Sequence, residues 1–307
     1  MTIKDNELQD VIYDVDTVFG YDLSLMTAQR FEEGALDEVL AKEQCFANKV
    51  PCGFTPFKET LDADEKLEFN TMIGYTGTPE QINAKAKEFV ADGYIDKKFE
   101  EAEKLADSFT SDVKTTTAAG TFDQYVEQCY LDNFLRGGYP YVLNKDGNKS
   151  IIHLFSRKHG DPERDYNFFS IAAEYYSQGN GNFRDVSQNR RNDVFFNKDV
   201  GDFNVKTFFS LIQADGYNPL EVRPSLFNVT EGKMDEVKNY VNQCIDGDAS
   251  KIIEIVEGSF TPGQISNTVA RNQINLTVDD GEFIANILNN CDQNIEAGFG
   301  EGYWSDH

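Results

Sequence analysis

The chain has no stretch approaching the roughly 20 consecutive apolar residues that a membrane-spanning helix needs. Positive charge is scarce: 28 Lys and Arg stand against 53 Asp and Glu, a formal net charge of −25 at pH 7. Phosphate backbones and anionic lipid surfaces are gripped by clustered Lys and Arg, so neither nucleic acid nor a membrane is expected as a partner. Histidine is nearly absent. His153, His159 and His307 are the only three, their spacing fits no ligand pattern, and no metal is expected. The five cysteines (Cys45, Cys52, Cys129, Cys244 and Cys291) are scattered, odd in number and without a CxxC pair. Such a set reads as free thiols in a reducing compartment. Met1 to Asp10 is polar and acidic and lacks the basic and apolar stretches of a secretory signal, so the expected location is cytoplasmic.

Apolar and aromatic residues, by contrast, are plentiful. They make up 40% and 13% of the 307 residues, enough to bury the core of one large domain or two ordinary ones. Residues 1–78 are uneven, with short apolar runs between Gly, Pro and acidic clusters. Leu67, Phe69, Thr71 and Ile73 alternate, which predicts a half-buried strand, and residues 28–44 look helical. Thr78 followed by Pro79 reads as a helix cap with proline at the first helical position. Two helices are predicted across 79–110, within a linker of 79–120. From Thr121 the chain is denser in aromatics. Phe122, Tyr125, Val126, Cys129 and Tyr130 form a helical stripe that Gly137-Gly138 ends. Asn144 to Asn148 reads as a turn and 151–155 as a short strand or loop. Further helices are predicted near 162–176, 203–215, 233–246, 262–270 and 280–291, so an all-helical layered domain is expected over 121–307.

The most informative stretch is 153–193. Residues 151–200 hold seven basic and seven acidic residues, near neutrality inside a very acidic chain. They mix Arg, Asp, Asn and Gln with Tyr and Phe. That mixture suits neutral sugars, whose hydroxyls want planar forks and amides and whose apolar face wants a flat ring. Gly179 and Gly181 would let the backbone approach a ligand closely. Ordinary polar loops share this composition, and on composition alone a structural role is the more common one. A nucleotide-binding GxGxxG is broken, because Arg184 stands where the third Gly belongs.

Asn182-Phe183-Arg184-Asp185-Val186-Ser187-Gln188-Asn189 resembles the G-F-R-D-x-x-Q-D signature of inverting glycoside phosphorylases of the cellobiose phosphorylase type, and the spelling of Ser156–Asp161 and Gly179–Arg191 is similar to their large β-1,3-glucan-acting relatives. The preceding Tyr175-Tyr176-Ser177-Gln178-Gly179-Asn180-Gly181 resembles the loop before that signature. Gly302-Tyr303-Trp304-Ser305-Asp306-His307 resembles the A/G-D-W-N-D motif that carries the general acid. The resemblance implies a mixed fold: the end of an N-terminal β-sandwich in 1–78, a helical linker in 79–120, and the first part of an (α/α)6 barrel in 121–307, cut from the interior of a larger protein. It implies Asp306 as the catalytic acid, and Arg184, Asp185, Gln188, Asn189, Tyr176, Gln178 and Trp304 as substrate-binding residues. Asn189 departs from the signature, which has Asp there.

The activity so implied is phosphorolysis of β-linked glucosides or oligoglucans to α-glucose 1-phosphate with inversion. No cofactor is implied beyond inorganic phosphate as co-substrate. Phosphate is already an anion, so no carboxylate base is needed, in contrast to an inverting hydrolase. The resemblance leaves room for a homodimer of the full-length parent and for an isolated chain that is inactive. Three alternatives stay open. One is a glycoside hydrolase on the same barrel, with Asp161, Glu163 or Asp165 activating water. The second is a non-catalytic carbohydrate-binding module. The third is a non-functional fragment that does not fold alone, because a half-barrel leaves a large apolar face uncovered.

Overall fold

A computed structural model describes residues 1–33, 36–50, 52–143, 149–154 and 174–298. The chain forms two compact units, one from Met1 to Glu103 and the other from Lys104 onward.

The first unit is built on a small antiparallel sheet. Thr2–Lys4 lies in the middle, between Glu7–Leu8 and Asn70–Thr71. The alternation predicted from Leu67 to Ile73 therefore reaches the sheet only at Asn70–Thr71. Residues 28–44 are helical at Gln29–Glu32 and Leu36–Leu40. The buried core is small: Ile12, Val18 and Val39, with Phe19 and Ala28 against it. Asp14 is buried and held by several donors. It caps the helix Val15–Phe19 through the amide of Asp16, and Lys49 meets it at 2.7 Å. That ammonium, the strongest influence, holds the Asp14 carboxyl below the usual carboxylate range.

The helices predicted across 79–110 are present as Pro79–Phe89 and Tyr94–Thr110. Thr78 caps the first as expected. Its hydroxyl accepts from the amide of Gln81, and the Gln81 side chain accepts from the amide of Thr78. Two of the orphan donors at the helix start are thereby satisfied.

The second unit carries most of the core. Helix Gly120–Gly137 matches the aromatic stripe, and Gly138 at φ 90° turns the chain after it. An antiparallel hairpin follows, Tyr139–Leu143 against Ser150–Leu154. The helices expected in the last hundred residues are found at Phe203–Ser210, Met234–Cys244, Pro262–Arg271 and Asp280–Leu288. Among the described residues three unexpected helices also form, Phe183–Arg190, Asp193–Phe196 and Ser250–Val256.

Sheet structure here departs from the all-helical expectation. Glu221–Val229 pairs antiparallel with Cys291–Gly298, and Gly181–Asn182 adds on the other edge. The register slips where Ser225 faces Ile295 and Val222 faces Ala297. Arg223 and Pro224 thus oppose the single residue Glu296, a bulge that frees Pro224 from donating to the ladder. Glu221, Ser225 and Phe227 turn inward. Around this sheet Val237, Val241, Ile252, Ile265, Phe283, Ile284, Ile287 and Leu288 close a single core. Among the described residues there are mixed helices and small antiparallel sheets and no closed barrel. No described helix is long and apolar enough to cross a membrane. The predicted turn at 144–148 and the helix predicted at 162–176, up to 173, lie outside the described residues.

Candidate functional site

The signature stretch folds as strand edge, cap and helix. Gly181 pairs with Val222 and Asn182 with Glu221 on the edge of the sheet. Asn182 then caps the helix Phe183–Arg190, its Oδ1 accepting from the amides of Arg184 at 3.0 Å and Asp185 at 3.4 Å. Asx side chains are strong caps for this reason. A Cβ on Gly181 would come within 2.1 Å of Val186 Cγ2, so the glycine makes room for the first turn of its own following helix rather than for a ligand.

Phe183 packs edge-on against Phe208 at 5.6 Å, which seats this helix on Phe203–Ser210. Asn204 ties the other end. Its Nδ2 donates to the carbonyl of Arg190 at 3.0 Å and to Asp193 Oδ2 at 2.9 Å, so both acceptors fix the orientation of the amide.

A cavity of about 520 Å³ opens where the helix Phe183–Arg190 runs into Asp193–Phe196. One wall is the run from Gln188 to Asp193. Ser108, Phe109 and Asp112, then Tyr130, then Tyr139 and Pro140, supply the rest, with Phe196 and Asn197. The aromatic wall is fixed by packing: Tyr130 lies edge-on to Phe196 at 4.7 Å and Phe109 against Tyr139 at 5.1 Å. Burial pushes the Tyr130 phenol well above its ordinary value.

Behind this wall sits a buried polar cluster that sequence reasoning missed. Arg190 is 2% exposed and Asp193 6%. Arg190 Nε lies 3.5 Å and His153 Nε2 3.6 Å from the same Asp193 Oδ2, both too long or too poorly aimed for a hydrogen bond. Arg190 Nε and Nη1, His153 Nε2 and Asn204 Oδ1 are buried without a hydrogen-bond partner among the described residues. Desolvation lowers the pKa of both His153 and Arg190, with Asp193 opposing it in each case. His153 is therefore a neutral imidazole at neutral pH. The available sequence signal was an Arg and an Asp three apart at a helix end, a spacing too common to single out.

The other expected site residues are placed as follows. Gln188 and Asn189 line the cavity. Arg184 and Asp185 do not; they pair with each other at 3.3 Å on the first turn, where Arg184 is largely exposed. Arg184 precedes Gln188 by four residues and so lies one turn along the same face.

Gln178 is buried, and its amide both donates to the Ser225 carbonyl and accepts from the Ser225 amide. Nearby Gln293 donates to the carbonyl of Ile151 and to Ser225 Oγ. The two glutamines stitch the loop and the hairpin to the sheet. Tyr176 has the left-handed φ of 50° and packs its ring on Tyr141 at 5.7 Å. Burial pushes its phenol up to about 12. A non-glycine residue in that backbone region persists only where its surroundings hold it.

Trp304 and Asp306 lie outside the described residues, as do His159, His307 and the alternative bases Asp161, Glu163 and Asp165. No group of three His, Cys, Asp or Glu side chains is set to hold a metal ion among the described residues. In comparisons with known proteins the chain matches no family model, no curated protein and no solved structure.

Proposed function

We propose that this chain is the donor-sugar part of an inverting glycoside phosphorylase acting on β-linked glucosides or oligoglucans. The observation that carries the reading is the cavity in which Gln188 and Asn189 of the signature meet Tyr130, Tyr139, two arginines and two carboxylates. Amides, a balanced set of charges and flat rings are the groups that bind a neutral polyol with an apolar face. In this reading residues 121–307 belong to the first part of an (α/α)6 barrel, residues 79–120 to a helical linker and residues 1–78 to the end of a β-sandwich.

The chemistry is a single displacement. Asp306 donates its proton to the departing glycosidic oxygen while inorganic phosphate attacks the anomeric carbon from the opposite face. The C1–O bond to the acceptor sugar breaks, a C1–O–P bond forms, and α-glucose 1-phosphate leaves with a glucan one unit shorter. Arg184, Asp185, Gln188 and Asn189 hold the donor hydroxyls, and Tyr176, Gln178 and Trp304 border them. Phosphate is the one co-substrate, and no metal takes part. The complete enzyme works in the cytoplasm, as a homodimer.

The test is phosphate dependence in the complete protein. Incubated with β-1,3-gluco-oligosaccharides and inorganic phosphate, it should release α-glucose 1-phosphate, and Asp306→Asn should abolish that release. Glucose release that proceeds unchanged without phosphate would establish the hydrolase instead. Saturable sugar binding with no turnover would establish the binding module.

A further inference from the structure

We propose that Phe109 and Asp112 are the acceptor-side contacts of this cavity: the ring of Phe109 stacks the sugar that leaves, and the Asp112 carboxylate accepts one of its hydroxyls. The inference rests on the carbohydrate reading above and adds to it the residues that read the glycosidic linkage.

Two parts of the chain, far apart in sequence, line the cavity. Gln188 and Asn189 come from the signature helix. Ser108, Phe109 and Asp112 come from the end of the helix Tyr94–Thr110 and the turn Ser111–Val113 that follows it. Each part meets its own flat surface. Phe196, just after the signature helix, holds Tyr130 edge-on at 4.7 Å, and Phe109 lies against Tyr139 at 5.1 Å. Two fixed ring pairs offer platforms for two pyranose rings, because each sugar has an apolar face to lay on an aromatic one. The volume of about 520 Å³ falls in the range of pockets that enclose drug-sized ligands, which a disaccharide matches better than a single hexose.

The charges single out Asp112. Of the charged residues that line the cavity, Arg190 and Asp193 are buried against each other, whereas Arg191 and Asp112 are exposed. No described residue hydrogen-bonds or ion-pairs with Asp112. Its charge helps to push the Tyr130 phenol up, which places the carboxylate toward the rings. A carboxylate accepts strongly and a sugar hydroxyl donates. Moving the glycosidic bond to another hydroxyl turns the leaving ring about its bond to the donor. A carboxylate fixed in the cavity then meets a hydroxyl in one linkage and misses it in the others.

The experiment is saturation-transfer NMR on the whole chain with methyl β-D-glucoside and with the methyl glycosides of the β-1,3- and β-1,4-linked glucose disaccharides. The wild type should bind one of the disaccharides at least about tenfold more tightly than the monosaccharide, the value of one charged hydrogen bond. Asp112→Ala should weaken that disaccharide by about tenfold and leave the monosaccharide unchanged. Phe109→Leu, which keeps the apolar packing and loses the flat face, should weaken the same disaccharide by about fivefold. Asp112 is exposed, so its removal leaves the fold intact, which circular dichroism checks. Equal weakening of all three sugars, no change in either variant, or a wild type that binds neither disaccharide better than methyl β-D-glucoside overturns the inference and leaves the carbohydrate reading standing. A wild type that binds none of the three overturns both.

Discussion

His153 reads from the sequence as a packed histidine rather than a ligand, and it is buried in the fold, but its partners were not legible. Its isolation from other histidines argued against a metal, but nothing in the pattern placed it in a buried cluster with Asp193, Arg190, Asn204 and the ring of Phe203. Burial there lowers its pKa below 6.5, and Arg190 adds to the effect, while Asp193 and Asn204 oppose it. The unfolded chain therefore takes up a proton at a pH where the folded chain does not. Above 6.5 both states are neutral and the residue contributes no pH dependence. Below it stability falls as the pH falls, by up to about 1.4 kcal/mol per pH unit. Urea unfolding of His153→Gln between pH 7 and pH 5 should lose less stability than the wild type over that window. An identical slope in the two proteins would show that His153 is accessible to protons in the fold.

Gly181 is a second case at this scale. Its place in a Gly-Asn loop suggested closeness to a ligand, and the neighbour it accommodates is Val186. Sequence identifies where a glycine is required more readily than what it makes room for, because the contact is made by a helix that forms afterwards.

Among the elements, those with strong end signals were legible. Thr78-Pro79 with Gln81, and the stop at Gly137-Gly138, mark helix ends that local chemistry alone determines. The helix Phe183–Arg190 escaped notice because its eight residues are mostly polar and its apolar face is only Phe183 and Val186. Its cap and its packing on Phe208 hold it together. Asn182→Ala should remove that cap and cost about 1 kcal/mol of stability, and Asn182→Asp should restore it. The same Ala variant should weaken sugar binding beyond its effect on stability, because the capped helix carries Gln188 and Asn189. A urea titration alongside the sugar NMR separates the two effects. The strand Cys291–Gly298 was hidden for another reason. Its outward residues are Asp292, Asn294 and Glu296, and a polar alternation of low β-propensity is drawn into a sheet only by its partner Glu221–Val229.

Taken whole, the molecule divides into units of unequal core. Among the described residues the first buries three apolar side chains in its cluster, Ile12, Val18 and Val39, against seventeen in the cluster of the second. Burial of apolar area is the main stabilising term in folding, so heating should give two transitions. Residues 1–103 should unfold first. Hydrogen exchange should be slowest at Phe227, Ile252 and Ile284, which are fully buried in the larger cluster. One cooperative transition, with equal protection in both parts, would refute the division.

The sequence by itself determined the acidic balance, the lack of an apolar run long enough to cross a membrane, the free cysteines, and the helices whose caps and apolar stripes are local. Each of these depends on residues within a few positions of one another. Tertiary structure alone decided that Glu221–Val229 pairs with Cys291–Gly298, that Gln178 is spent on the backbone of Ser225, and that Arg190 and Asp193 stand together on a cavity wall beside Tyr130 and Tyr139. The Gln178 contact and the strand pairing join residues 47 to 77 positions apart, and local patterning carries no information on which distant partner will neutralise a charge or complete a sheet.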